Sequence, residues 1–120
     1  GYAYATAFRP RPAYRYVVET SVYLGRGEQG RGVGTRLYHS LLATLEAQGF
    51  TQAIAAITLP NPGSVALHDR VGFTAAGIYR QVRYKMGQWV DVGLGQRPLG
   101  AAAHPPVEPK PIAAVGLQLL

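Results

Sequence analysis

Five glycines fall within ten positions where the chain reads GRGEQGRGVG, residues 25–34. The stretch lies between a β-branched segment, VVETSVYL, and a leucine-striped one. Glycines permit positive φ and let a backbone approach a ligand without Cβ clashes. A helix opening from such a loop aims unsatisfied N–H groups and the positive end of its dipole at whatever sits there. The chemistry suited to this arrangement is the binding of an anion, above all a phosphate. A plain glycine-rich connection is the other reading of the same residues.

Two familiar phosphate motifs do not fit. A P-loop needs Gly-Lys-Ser/Thr at its end, and here Gly34 is followed by Thr35 with no lysine. The dinucleotide fingerprint can be forced onto Gly30, Gly32 and Thr35 only by losing its last glycine. It also needs an acidic residue after the next strand, where the chain has Leu59-Pro60. Glu19 stands out separately as a lone carboxylate inside an otherwise β-branched run.

Composition narrows the field. The 120 residues suffice for one domain with one core, and 48% are hydrophobic against 15% charged, as in a globular protein. There is no cysteine, so disulfides, thiolate metal sites and a cysteine nucleophile are excluded. His39, His68 and His104 show no zinc-ligand spacing, and no metal is expected. The net charge of +6 comes mostly from arginine, in two small clusters: Arg9, Arg11 and Arg15, then Arg26, Arg31 and Arg36. The second surrounds the glycine loop. A phosphate-bearing small ligand accounts for it better than nucleic acid, which calls for one basic face. No apolar run approaches the roughly 20 residues that span a bilayer, so no membrane partner is expected, and the cytoplasm is the default compartment.

The elements that must position these residues follow from periodicity. GYAYATAF, residues 1–8, reads as a strand with Tyr2 and Tyr4 on one face. Pro10 and Pro12 break it, and 17–24 forms a second strand. After the loop, a helix is expected over 35–48, with Leu37, Leu41, Leu42 and Leu45 as its apolar stripe and Gly49 as its stop. A buried strand spans 52–59. Ser64 is expected to cap a short helix over 65–71. One or two strands lie in 73–86 and another in 89–94, with Trp89 in the core. The resulting α/β order contains a strand–helix–strand parallel crossover over 17–59. From Pro98 onward five of the nine prolines gather, and 98–120 reads as a flexible Pro/Ala-rich tail after a folded unit of 1–97.

Gln29, Gly32 and Gly34 match the pattern Gln/Arg-x-x-Gly-x-Gly/Ala, which resembles the pyrophosphate loop of GNAT acetyltransferases. Asn61, Ser64, Leu67 and the pair Gly72-Phe73 resemble the polar strand end, short helix and closing Gly-Phe of that superfamily. The stretches AYRYVVETSVYL, LEAQGF, LPNPGSVALHDRVGF and WVDVG resemble the phosphinothricin and methionine sulfoximine N-acetyltransferases. The likeness runs from residue 1 to about 97.

The resemblance implies a GNAT acyl-CoA N-acyltransferase fold, a mixed α/β sheet splayed at its middle, here without the first strands and helices that wall the acceptor site. It implies transfer of acetyl from acetyl-CoA to the α-amine of a glutamate-like amino acid, and a homodimer. Gln29, Gly30, Arg31, Gly32, Val33, Gly34 and Thr35 would hold the CoA pyrophosphate. Val22, Tyr23 and Leu24 would line the pantetheine arm, with Asn61 and Ser64 nearby. Glu19 would be the base, because an amine attacks a thioester only when neutral. His68 takes the place where many GNAT enzymes have a tyrosine near the CoA sulfur. It would either relay a proton or simply pack. Arg9, Arg11 and Tyr14 would grip the acceptor's anionic groups, the alternative being a solvated basic loop. Met86 and Val90 depart from the histidines of close relatives. A non-catalytic CoA- or nucleotide-binding domain is the competing class, and it would have no use for Glu19.

Overall fold

The computed structural model describes residues 1–25, 27, 30, 32–100 and 103–118. Among these residues five strands form one sheet: β1 (Tyr2–Ala7), β2 (Val17–Tyr23), β3 (Gln52–Thr58), β4 (Thr74–Lys85) and β5 (Gln88–Pro98). Their spatial order is β1-β2-β3-β5-β4. Only β2 and β3 run parallel; β1–β2, β3–β5 and β4–β5 are antiparallel. The parallel pair is connected through helix α1 (Val33–Gln48), as the crossover requires. Helix α2 (Pro62–Arg70) joins β3 to β4, and a short α3 (Ile112–Val115) lies near the C-terminus. A 3-10 turn, Pro12–Tyr14, sits in the β1–β2 loop.

The core lies between α1 and one sheet face. Val18, Ala53 and Ala55 from the strands meet Tyr38, Leu42 and Leu45 from α1, and Leu67, Val71 and Phe73 close it from the α2 side. Burying a side chain such as Leu42 contributes on the order of 2 kcal/mol. The helix is rotated from its leucine stripe. Tyr38 is the deepest residue, fully buried, while Leu37 and Leu41 are only half-buried. A tyrosine can take that position because its hydroxyl finds partners inside.

Other boundaries differ from expectation for local reasons. Helix α1 starts at Val33, inside the glycine-rich stretch, with Gly32 at φ 76° as its N-cap. Asn61, not Ser64, caps α2: its Oδ1 accepts from the Ser64 amide at 3.1 Å, and Pro62 occupies the first turn, where its missing N–H costs nothing. Gly72, at φ 96°, turns the chain out of α2 and drives Phe73 into the core. Residues 74–85 form one strand rather than two, interrupted by bulges at Ala75/Gly77 and Tyr79/Arg83. In the second bulge Gln81 adopts φ 50°, and its N–H donates to Asp91 Oδ1 at 2.8 Å. Trp89 is not in the core: it is 59% exposed, edge-on to Tyr84. Nothing packs over the hairpin that carries it among the described residues, and every residue of β4 is exposed.

Beyond β5 the chain returns along α1. Leu99 joins the core cluster, and its N–H donates to Thr51 O. Lys110 N–H donates to Gln48 O, Gln118 N–H donates to Thr44 Oγ1, and Glu108 accepts from Arg15 at 2.6 Å.

Candidate active site

Strands β2 and β3 pair only from Val17↔Gln52 to Thr20↔Ala55. Past that point Ser21–Tyr23 and Ala56–Thr58 have no partner in each other, and the sheet opens. On the α1 side of this opening lies a cleft of about 680 Å³. Val22 and Leu24 line it from β2, Gly30, Gly32, Gly34 and Thr35 from the loop and the start of α1, and Asn61, Gly63, Ser64, Leu67 and Arg70 from α2.

The mouth of α1 has the backbone arrangement that suits an anion. Gly32 has no side chain with which to cap the helix, and among the described residues no side-chain cap answers the first-turn amides of Val33, Gly34 and Thr35. Gly34 is buried because a Cβ there would stand 3.1 Å from Leu67 and 3.3 Å from Leu24. This glycine therefore sets the close approach of α1, α2 and β2. No carboxylate lines the cleft among the described residues. Two cations stand by: Arg70 in its wall, and Arg36, whose Nη1 lies 3.5 Å from where a Gly32 Cβ would be.

Of the residues singled out from the sequence, Val22, Leu24, Gly30, Gly32, Gly34, Thr35, Asn61 and Ser64 converge on this cleft. Val33 stands between Gly32 and Gly34 in the first turn of α1. Tyr23 points the other way: its ring stacks on Tyr4 at 6.2 Å and lies 5.4 Å from Tyr2, on the face away from α1. Gln29 and Arg31 lie outside the described residues.

Glu19 occupies that same far face, because its neighbours Val18 and Thr20 are buried under α1. It pairs with Thr6 on one side and Ile54 on the other, one residue before β2 and β3 part. Arg9, Arg11 and Tyr14 sit in the loop at Glu19's end of β2. The Arg9 guanidinium stacks 4.7 Å from the Phe8 ring and 5.8 Å from the Tyr14 ring. The Arg11 carbonyl accepts from the Tyr14 amide. The neighbouring Arg15 is spent on Glu108 and Tyr16.

His68 is turned into the core, 6% exposed, and does not line the cleft. Its Nδ1 lies 2.7 Å from the Ser64 carbonyl, which can only accept, so Nδ1 carries the proton. In the neutral ring Nε2 then accepts from the Tyr38 hydroxyl at 2.7 Å, and Tyr38 in turn is 2.8 Å from Thr20 Oγ1. Burial holds His68 below its usual range, opposed by the Ser64 carbonyl and then by Asp69. Burial likewise pushes the Tyr38 phenol up to about 12, against the Thr20 hydrogen bond, so it stays a donor. Of the two readings of His68, the geometry is that of a packed, fully bonded histidine.

Sequence reasoning missed Arg70 and Tyr38. Arg70 carries no motif. Tyr38 was hidden by the leucines around it, although a tyrosine inside an apolar stripe is itself a sign of a buried polar partner.

Residues 1–94 match the model of the acetyltransferase (GNAT) domain. The chain belongs to the GNAT acetyltransferase family. Within this family it is 46% identical over 110 residues to a phosphinothricin N-acetyltransferase of Streptomyces viridochromogenes, covering 91% of this chain and 60% of that protein. It is 38% identical over 96 residues to an L-methionine sulfoximine/L-methionine sulfone acetyltransferase of Pseudomonas aeruginosa, covering 80% of this chain and 56% of the relative. The GNAT fold is shared with the crystal structure of a phosphinothricin acetyltransferase from Sinorhizobium meliloti in complex with AcCoA. There the TM-score is 0.81 and the identity 40%, over 96% of this chain and 59% of that one. The chain thus spans about three-fifths of the length of the relatives it matches. The splayed sheet expected from the resemblance is the one observed, in the early end of β2–β3 pairing.

Proposed function

We propose that this domain transfers acetyl from acetyl-CoA to the α-amine of a glutamate-like amino acid. The observation that carries the reading is positional: the β2–β3 pairing ends at Thr20↔Ala55, so the opening has Glu19 at its base on one face and the anion-ready cleft on the other. The relatives named above act on phosphinothricin and methionine sulfoximine, which supports the acceptor class.

The uncapped amides of Val33, Gly34 and Thr35 fit a diphosphate, with Arg36 and Arg70 placed to balance its charge. Val22 and Leu24 give the cleft an apolar wall suited to a pantetheine arm. Acetyl-CoA supplies the activated acyl group. Glu19 takes the proton from the acceptor's ammonium, directly or through one water, and leaves the neutral amine as nucleophile. Arg9, Arg11 and Tyr14, at the same end of β2, hold the acceptor's α-carboxylate. His68 and Tyr38 fix α2 against β2 rather than meeting the thioester. Exposed apolar residues on the β4–β5 hairpin, among them Ile78, Tyr79, Val82 and Trp89, supply a face for a second copy. Neither nucleic acid nor membrane is needed in this scheme, and a cytoplasmic reaction is compatible with acetyl-CoA as donor.

The test is release of free CoA against a panel of amino acids, with Glu19→Gln alongside. The expected result is acceptor-dependent release, reduced about 10²- to 10⁴-fold in the variant, with CoA affinity intact. CoA binding without turnover on any amine assigns the domain to the non-catalytic class instead.

A further inference from the structure

The sheet face that carries Glu19 also carries Ser21 and Tyr23 on β2 and Ile54, Ala56 and Thr58 on β3, by strand alternation. Arg83 enters this face from two strands away. It stands opposite Val90 of β5, and β5 separates β4 from β3. Its side chain crosses β5 and donates from Nη1 to Thr58 Oγ1 at 2.6 Å. The guanidinium therefore lies at Thr58, on the stretch of β3 beyond its last partner in β2.

Its charge is not spent elsewhere. Arg15 has Glu108 and Arg80 has Asp91, whereas Arg83 has no carboxylate partner among the described residues. A guanidinium has five N–H donors, and the Thr58 hydroxyl takes one. Thr58 lies four residues beyond Ile54, the residue level with Glu19, or roughly 13 Å along the strand. An amino acid with a distal acid group spans that distance once hydrogen bonds of about 3 Å are added at each end.

We propose that Arg83 is a specificity residue that binds the side-chain anion of the acceptor. The assignment rests on the acetyltransferase reading above and adds to it an acceptor anionic at both ends. The α-carboxylate goes to the Arg9–Arg11 loop and the distal group to Arg83, with Glu19 between them. Thr58 positions the guanidinium.

The test compares two acceptors in the full chain: phosphinothricin, whose side chain carries a phosphinate, and methionine sulfone, whose side chain is neutral. Arg83→Gln is expected to raise KM for phosphinothricin tenfold or more, with KM for methionine sulfone and for acetyl-CoA within twofold of the parent. Arg83→Lys is expected to recover part of the loss, and Thr58→Val to show the same selectivity more weakly. Equal changes for the two acceptors, no change for either, or a parent that prefers methionine sulfone overturns the assignment while leaving acetyl transfer intact. A folded parent that binds CoA and acetylates neither compound removes the acetyltransferase reading, and this one with it.

Discussion

The Tyr38 hydroxyl lies 2.7 Å from Nε2 of His68, inside the core and 30 residues away in sequence. With Thr20 at 2.8 Å and the Ser64 carbonyl at 2.7 Å, it forms one chain of hydrogen bonds from β2, beside Glu19, to the first turn of α2, beside the cleft. Both sides of the proposed site are thus tied to a single buried network.

Removing the central hydroxyl is expected to cost more than one hydrogen bond. Tyr38→Phe leaves His68 Nε2 and Thr20 Oγ1 buried without their partner, a penalty of about 1–3 kcal/mol. A urea unfolding series reads this as a lower midpoint at unchanged slope. A midpoint equal to the parent's shows that the network contributes nothing.

The same network makes stability pH-dependent. His68 titrates lower in the folded chain than in the unfolded one, because burial disfavours its charged form. Between the lowered value and about 6.5 the unfolded state binds more protons, so stability rises with pH there. The contribution is complete above about pH 6.5 and is lost as pH falls through the folded value. A thermal unfolding series from pH 7.5 to 5 is expected to show Tm falling, and the fall should flatten in His68→Gln. Parallel slopes in the two proteins would assign the pH dependence to other groups.

Gly32 caps α1 at φ 76°, with only the end of Arg36 near a prospective Cβ. Conformation rather than space is what demands glycine. Gly32→Ala is expected to cost about 1–2 kcal/mol of stability, and Gly32→Asn, which tolerates the left-handed region, clearly less. Both should weaken CoA binding, Asn by crowding the cleft. Equal stability of Gly32→Ala and the parent, by chemical denaturation, contradicts the φ assignment.

Much of this arrangement was legible in the chain because it rests on local chemistry. Glycines before an amphipathic run marked the glycine-capped start of α1, and prolines marked the turns. Gly49 could be placed as the stop of α1 because helix ends are short-range, whereas the cap of α2, expected at Ser64, is Asn61. What escaped depends on contacts distant in sequence. The Tyr38–His68 pair spans two elements. The reach of Arg83 to Thr58 requires knowing that β5 lies between β4 and β3. The exposure of Trp89 depends on what packs over the β4–β5 hairpin, which its own sequence does not encode. Tyr23 was assigned with its neighbours Val22 and Leu24, yet alternation along a strand turns its ring to the other face.

The central claim is that the first amides of α1 bind the diphosphate of CoA. A titration of the isotope-labelled protein with CoA, followed by amide nitrogen–proton NMR, tests it directly. The account predicts saturable shifts at Val33, Gly34 and Thr35, with Gly63 and Ser64 moving at the same concentrations and the β4–β5 turn at Met86 and Gly87 unmoved. A folded spectrum in which those α1 amides stay still while CoA binds elsewhere, or does not bind, would contradict it.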